Sequence, residues 1–191
     1  MAIRIGIIVG SVRSGSHNQA LADCIASALR ARHAELWRPD AAALDLPIYH
    51  GDRERDDFPP AAKVLKHELA ACAGLVLVSP EYNGSTSPLM KNVIDWTSRS
   101  TGDEPPLAMS AFRGKPLALA SASIGPYGGV RALGHLRQIV QALQAIALPE
   151  EIRVPVASTA FEADGRLANP TAAAQLELVV DRLLDLAGRL A

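Results

Sequence analysis

Apolar positions along the chain switch between two periods. Residues 3–9 (IRIGIIV) form a short apolar run that predicts a strand. From 18 to 31, Leu21, Cys24, Ile25, Ala28 and Leu29 recur at helical spacing. Residues 34–38 predict a short second strand. Over 61–73, Ala62, Leu65, Leu69 and Cys72 share one helical side, and 74–80 (GLVLVSP) predicts a third strand. A helix over 88–99 aligns Leu89, Val93 and Trp96, and 116–123 (PLALASAS) predicts a fourth strand. The segment 130–147 keeps Leu133, Leu136, Val140, Leu143 and Ala147 in helical register. Residues 151–158 (EIRVPVAS) predict a fifth strand, and 171–190 a closing helix. The charged stretch 51–60 (GDRERDDFPP) reads as a solvated loop.

Strands alternating with helices predict a parallel sheet covered on both faces. Strands one, three and four are continuously apolar, as burial on two faces requires. Strand two is short and poorly apolar. Strand five alternates Ile152, Val154 and Val156 with Glu151, Arg153 and Pro155, and proline belongs at a sheet edge. Five strands with those two edges give the order 2-1-3-4-5, an α/β three-layer sandwich of flavodoxin-like type. The 191 residues show no repeat, linker or low-complexity tract, so a single domain over 1–191 is expected.

Composition narrows the function classes. The formal net charge is −1, and no basic stripe of the kind that binds nucleic acid is present. The apolar runs are too short to cross a bilayer, and residues 1–9 lack a secretory signal's long apolar region. No membrane and no nucleic-acid partner are expected, and the cytoplasm is the expected compartment. Cys24 and Cys72 sit in helical patterns and read as small buried hydrophobes. No Cys/His spacing suggests a metal site.

In such a sheet, ligands bind beyond the carboxyl ends of the strands where the winding reverses. Three loops leave those ends: 10–18, 80–87 and 122–129. The first, GSVRSGSHN, has the outer glycine spacing of a triphosphate loop, with Ser16 and His17 where Lys and Ser/Thr would stand. Its serines, the arginine Arg13 and the following helix start suit a single terminal phosphate. The competing reading is that Ser14 or Ser16 only caps the helix. In the second loop, PEYNGSTS, Ser87-Pro88 makes a helix start. Glu81, Tyr82, Asn83 and Gly84 are left at the strand end, with a flat apolar ring and polar groups suited to a heterocycle's edge. Asn83-Gly84 also suits a plain turn. Gly125, Gly128 and Gly129 of the third loop are either turn residues or a wall whose amides approach a planar ring. Such amides would stabilise negative charge developing on a flavin's pyrimidine side.

GSVRSGSHN, SPEYNGSTSPLMKNVIDWTSR and SASIGPYGGVRALGHLRQ, in that order, resemble the NADPH-dependent FMN reductase family, which includes quinone and chromate reductases. The resemblance runs from Ile3 to about Pro149. It implies a flavodoxin-like fold binding FMN non-covalently, usually as a homodimer or homotetramer. Carried over by position, Ser11, Arg13, Ser16 and Asn18 hold the FMN phosphate, with His17 contributing from the same turn. Pro80, Glu81, Tyr82, Asn83 and Gly84 run along the isoalloxazine, with Ser123 across from them. Many relatives have Pro-Gly where this chain has Ser87-Pro88.

The activity so implied is transfer of hydride from NADPH or NADH through bound flavin to a quinone-like or other small electron acceptor, with no protein acid, base or nucleophile. Substrate choice is expected to depend on segments 49–60 and 100–113. An FMN-binding electron carrier for protein partners is the alternative. Carriers of that kind tend to be strongly acidic, which a net charge of −1 does not match. A cysteine phosphatase on a similar sheet is excluded, because 10–18 contains no cysteine. Met90, Ile94, Ile139 and Ile146, outside the main helical stripes, either face a second subunit or complete the chain's own core.

Overall fold

Strands β1 (Arg4–Val9), β2 (Glu35–Trp37), β3 (Gly74–Val78), β4 (Pro116–Ala122) and β5 (Ile146–Val154) pair in parallel in the order β2-β1-β3-β4-β5. This order is the one the edge signals predict. The coordinates are a computed structural model that describes residues 2–102 and 104–191. Helices α1 (His17–Ala31) and α6 (Pro170–Leu190) cover one face, packing on Ile5, Ile7, Val9, Val76, Val78 and the alanines of β4. Helices α3 (Pro60–Ala70), α4 (Pro88–Thr97) and α5 (Val130–Ala142) cover the other, against Ile8, Leu75, Leu77, Leu117 and Leu119. Alternate residues of each strand thus feed opposite cores, the reason the central strands read as unbroken apolar runs.

Three sequence expectations need correction. The segment 51–60 is not all loop, because Gly51–Asp56 forms a short exposed helix, α2, capped by the His50 ring accepting from the Asp52 N–H at 3.2 Å. Helix α5 stops at Ala142 instead of 147, and β5 begins at Ile146 instead of 151 and ends at Val154. Gln144 takes a left-handed turn at φ 60°. The Ile146 N–H then bonds Lys115 O at 2.8 Å, which starts the strand. The helical periodicity of Leu143 and Ala147 is therefore accidental. Between Leu117↔Ala147 and Leu119↔Glu151 the register slips, and Pro149, which has no N–H to donate, lies in the excess.

Helix α4 uses its apolar surplus internally. Met90 and Ile94 are buried in the chain's own core, so they face no second subunit, while Ile139 is partly buried and Ile146 sits exposed at the start of β5. The polar residues of the same helix explain the KNVIDW stretch. Asn92 donates to Leu46 O (3.2 Å) and Pro47 O (3.0 Å) and accepts from the Tyr49 N–H (2.8 Å). The Trp96 indole donates to Pro47 O at 2.7 Å, and Tyr49 and Phe58 pack edge-on to its ring. These side chains satisfy the backbone of an otherwise irregular stretch and pin 46–49 to the helix.

The connection 98–115 joins the C-terminus of α4 to the N-terminal end of β4. Its described residues return to the sheet end opposite this chain's own strand exits. The almost fully buried Lys66 of α3 anchors it, donating to Arg99 O (2.5 Å) and Thr101 Oγ1 (3.2 Å) and pairing with Glu104. Burial alone would raise the Glu104 pKa. Hydrogen bonds from Lys66, Ser110 and the Thr101 N–H outweigh it and hold the carboxyl at about 2. Because the folded value lies below the unfolded one, the stability Glu104 contributes is complete above pH ~4.5 and is lost as pH falls toward ~2. Urea melts of the wild type and Glu104→Gln are expected to differ most at neutral pH and to converge as the pH is lowered through that window.

Candidate functional site

The exits of β1, β3 and β4 open side by side at the carboxyl end of the sheet. The first loop leaves β1 with the Gly10 N–H on Val78 O at 2.8 Å. Gly10 is a steric necessity, since a Cβ there would lie 2.5 Å from Ser87 Oγ and 2.9 Å from Met90 Cβ. Ser87 uses that closeness twice, donating to Gly10 O at 2.6 Å and capping α4 by accepting from the Met90 N–H at 3.1 Å. Gly15 turns the chain at φ 65°, in open space.

Ser16 stands at the N-cap of α1, yet its hydroxyl makes no capping bond. The cap-only reading of Ser16 is therefore not realised. The N–H groups of His17 and Asn18 in the first turn have no acceptor among the described residues. Ser11 and Ser16 are buried, and their hydroxyls have no partner among the described residues. Arg13 is exposed, with one bond, to Ser14 O at 3.1 Å. Five groups that favour an anion thus surround one turn, with no carboxylate bonded to any of them.

Two expected side-chain roles change. The Asn18 side chain is buried and spent on β4, donating to Ala122 O at 2.9 Å and accepting from the Ala122 N–H at 3.0 Å. Its backbone N–H alone is available to a ligand. The His17 ring lies parallel to Phe161, centroids 6.4 Å apart, so it too is used in packing. Gln19, which sequence reasoning missed, clamps the loop from the next helical turn by donating to Ser11 O, and Arg38 in turn bonds its Oε1. No spacing in the sequence points to Gln19, because Arg38 and Ser11 reach it only after β2 has folded beside β1.

Pro80 is buried at the exit of β3. Next to it, Tyr82, Asn83, Gly84 and Ser85 make a tight hairpin, with Tyr82 and Ser85 exchanging N–H···O bonds at 3.0 Å. Asn83 (φ 50°) and Gly84 (φ 73°) both adopt positive φ, the two central positions of a type I′ turn. The hairpin holds Tyr82 up with 46% of its surface exposed. The resemblance places Glu81 along the isoalloxazine, but its side chain turns to α5. Its Oε2 accepts from the N–H groups of Arg131 (3.0 Å) and Ala132 (3.2 Å), and its Oε1 pairs with the Arg131 guanidinium at 3.2 Å. Its carboxylate caps α5 from another loop and offsets the positive end of that helix. His135 of α5 adds a 3.0 Å bond to Ser85 Oγ.

The third loop begins at Ser123, whose Oγ accepts from the Gly125 N–H at 3.2 Å. Gly129, at φ 79°, is the N-cap of α5, and a Cβ there would lie 2.0 Å from Ser121 Oγ. The turn reading of these glycines therefore holds for Gly129. The N–H groups of Tyr127, Gly128 and Gly129 nevertheless keep no acceptor among the described residues. Tyr127 and Ile124 are 63% and 74% exposed and, with Tyr82 and Val12, give the mouth an apolar rim. Separate clefts lie along the β5 edge, between Pro149 and Gln175, and between α1 and α6.

Among the described residues no group of three or more His, Cys, Asp or Glu could hold a metal, and no helix is long and apolar enough to cross a membrane. Both cysteines are free thiols, and Cys24 is only half-buried. Burial pushes the Cys72 thiol up to about 11, which leaves it unreactive. The arrangement can therefore grip one phosphate beside a flat ring.

Glu81→Ala strands two helix N–H groups and one guanidinium. It is expected to lower stability by about 1–2 kcal/mol in urea denaturation, with Glu81→Gln recovering most of the loss because one acceptor oxygen remains.

Comparison with known proteins agrees with this geometry. Residues 3–159 match the family described as NADPH-dependent FMN reductase. The chain is 38% identical over 167 residues to an NAD(P)H-dependent FMN reductase of Pseudomonas aeruginosa, covering 86% of this chain and 84% of that one. It is 31% identical over 189 residues to a 2-hydroxy-1,4-benzoquinone reductase of a Burkholderia species, covering 95% and 94%. Among solved structures it resembles the flavoenzyme NAD(P)H:(acceptor) oxidoreductase FerB of Paracoccus denitrificans, with a TM-score of 0.80, 26% identity and 99% of both chains covered. The match extends over the strand exits and the three loops just described, and the chain belongs to the NADPH-dependent FMN reductase family, a family of oxidoreductases that use FMN and a nicotinamide donor.

Proposed function

We propose that this protein is an FMN-dependent NAD(P)H oxidoreductase that reduces quinone-type or other small electron acceptors. The observation that carries the reading is the turn around Arg13. Its uncapped α1 terminus, the solvent-reached, unpartnered hydroxyls of Ser11 and Ser16 and one exposed guanidinium without an acid partner fit a phosphate monoester. When bound, FMN supplies the redox chemistry, accepting hydride from the nicotinamide and passing electrons to the acceptor.

The chain's own residues bind and orient. Ser11, Arg13, Ser16 and the N–H groups of His17 and Asn18 hold the phosphate. The Pro80–Gly84 hairpin, with Tyr82 raised, and the loop after Ser123 flank the ring. The free N–H groups of Tyr127, Gly128 and Gly129 offer donors to negative charge on its polar edge. Glu81 acts through α5, fixing the hairpin against the third loop, and touches the flavin only through its backbone. The exposed rim of Val12, Tyr82, Ile124 and Tyr127 suits partial cover by a second copy, so a homodimer or homotetramer is proposed. Two free cysteines suit a reducing compartment, the cytoplasm.

The purified protein is expected to be yellow with FMN and to bleach on addition of NADPH. Arg13→Ala is expected to raise the FMN dissociation constant roughly tenfold or more, as for loss of a charge-assisted bond, while turnover at saturating FMN changes far less. Unchanged FMN affinity in Arg13→Ala, measured by fluorescence titration, would remove the phosphate assignment.

A further inference from the structure

A second unpaired arginine lies on the far flank of the mouth. Arg153 is the penultimate residue of β5 and pairs with Ser121 of β4. Ile152 and Val154 point into the core shared with α1 and α6, so Arg153 points to the α5 face. There it lines a small cleft with Pro126, Tyr127, Val130 and Pro155, where the Arg131 guanidinium lies over the Tyr127 ring at 5.6 Å from its centroid, and it also borders the cleft along the β5 edge. Arg153 is exposed and has no acid partner among the described residues, although acids are near. Glu81 is spent on Arg131 and α5, Glu151 on Arg137 at 2.8 Å, and Glu150 faces Arg182 at 3.9 Å.

The backbone fixes this cleft to the third loop. Val156, a β-branched residue, is held at φ 48°, and its N–H bonds Gly125 O at 3.1 Å while the Ala157 N–H bonds Ser123 O at 3.0 Å. Gly128 packs so closely on the β5 end that a Cβ would lie 3.1 Å from Arg153 Cβ and from the Val154 and Pro155 nitrogens. Arg153 is therefore set against the outer wall of the ring site. Three strand spacings, roughly 14 Å, separate the exits of β1 and β5. Flavin mononucleotide has one phosphate, and the β1 turn takes it. An anion for Arg153 must come from a second ligand that reaches across the third loop.

We propose that the Arg153 cleft binds a phosphate of the nicotinamide dinucleotide donor, with the Tyr127 side of the cleft offering a flat apolar surface beside it. This rests on the flavin reading above. The test uses the oxidised holoprotein, titrated with NADP+ and with NAD+, alongside FMN titration of the apoprotein. Because Arg153 is exposed and unbonded, its variants are expected to fold.

Arg153→Ala is expected to weaken NADP+ binding about tenfold and Arg153→Glu further, with FMN affinity and the flavin spectrum as in the wild type. Loss of NADP+ affinity alone assigns the 2′-phosphate. Equal loss for NAD+ assigns the pyrophosphate. Either supports the proposal. Wild-type nucleotide affinity in Arg153→Glu overturns it, as does a parallel fall in FMN affinity or an effect confined to the KM of the acceptor. A wild-type protein that binds no FMN would be a separate result, against the flavin reading itself.

Discussion

The buried amide of Asn18 is the contact on which the site depends. Its oxygen and nitrogen pair with the N–H and C=O of Ala122, joining the first turn of α1 to the last residue of β4 across the exit of β3. A buried amide left unpaired costs far more than a surface bond returns, so this contact tolerates little movement. It fixes where the β1 turn sits relative to the third loop. The spacing of these two loops is set in this way by the protein alone.

Other side chains at the exits work on the same principle. Ser87 satisfies Gly10 O and the first turn of α4 together, and Glu81 satisfies the first turn of α5 from the neighbouring loop. Ser87 thus ties the second loop to the first, and Glu81 ties the second to the third. At α1 the N-cap residue Ser16 makes no side-chain bond, whereas α4 and α6 are capped by Ser87 and Asn169.

Residue types alone gave a mixed picture of the site. The 10–18 turn was legible as a candidate anion site, because glycine, serine and arginine stand there between a buried strand and an amphipathic helix. The roles of Asn18 and Glu81 were not. Both are polar residues in a ligand-rich loop, and nothing local distinguishes a side chain facing a ligand from one facing backbone. Asn83-Gly84 was legible as a turn and is one, and its consequence, the raised Tyr82, follows from the type I′ geometry. Asn92 and Trp96 could be recognised as a motif, but their purpose, pinning residues 46–49, needed the chain from 46 sequence positions away.

The sequence by itself determined the strand order and the two cores, because burial on one or two faces writes itself directly into apolar spacing. It also singled out 10–18 as the candidate anion loop. The tertiary structure alone decided where α5 ends and β5 begins, since helical spacing continues through Ala147 while pairing with β4 claims that residue for the sheet. It alone decided which polar side chains are consumed by the protein and which, such as Arg13 and Arg153, remain free. Periodicity is a local property of the chain, whereas satisfaction of a polar group depends on whichever distant backbone the fold brings within about 3 Å.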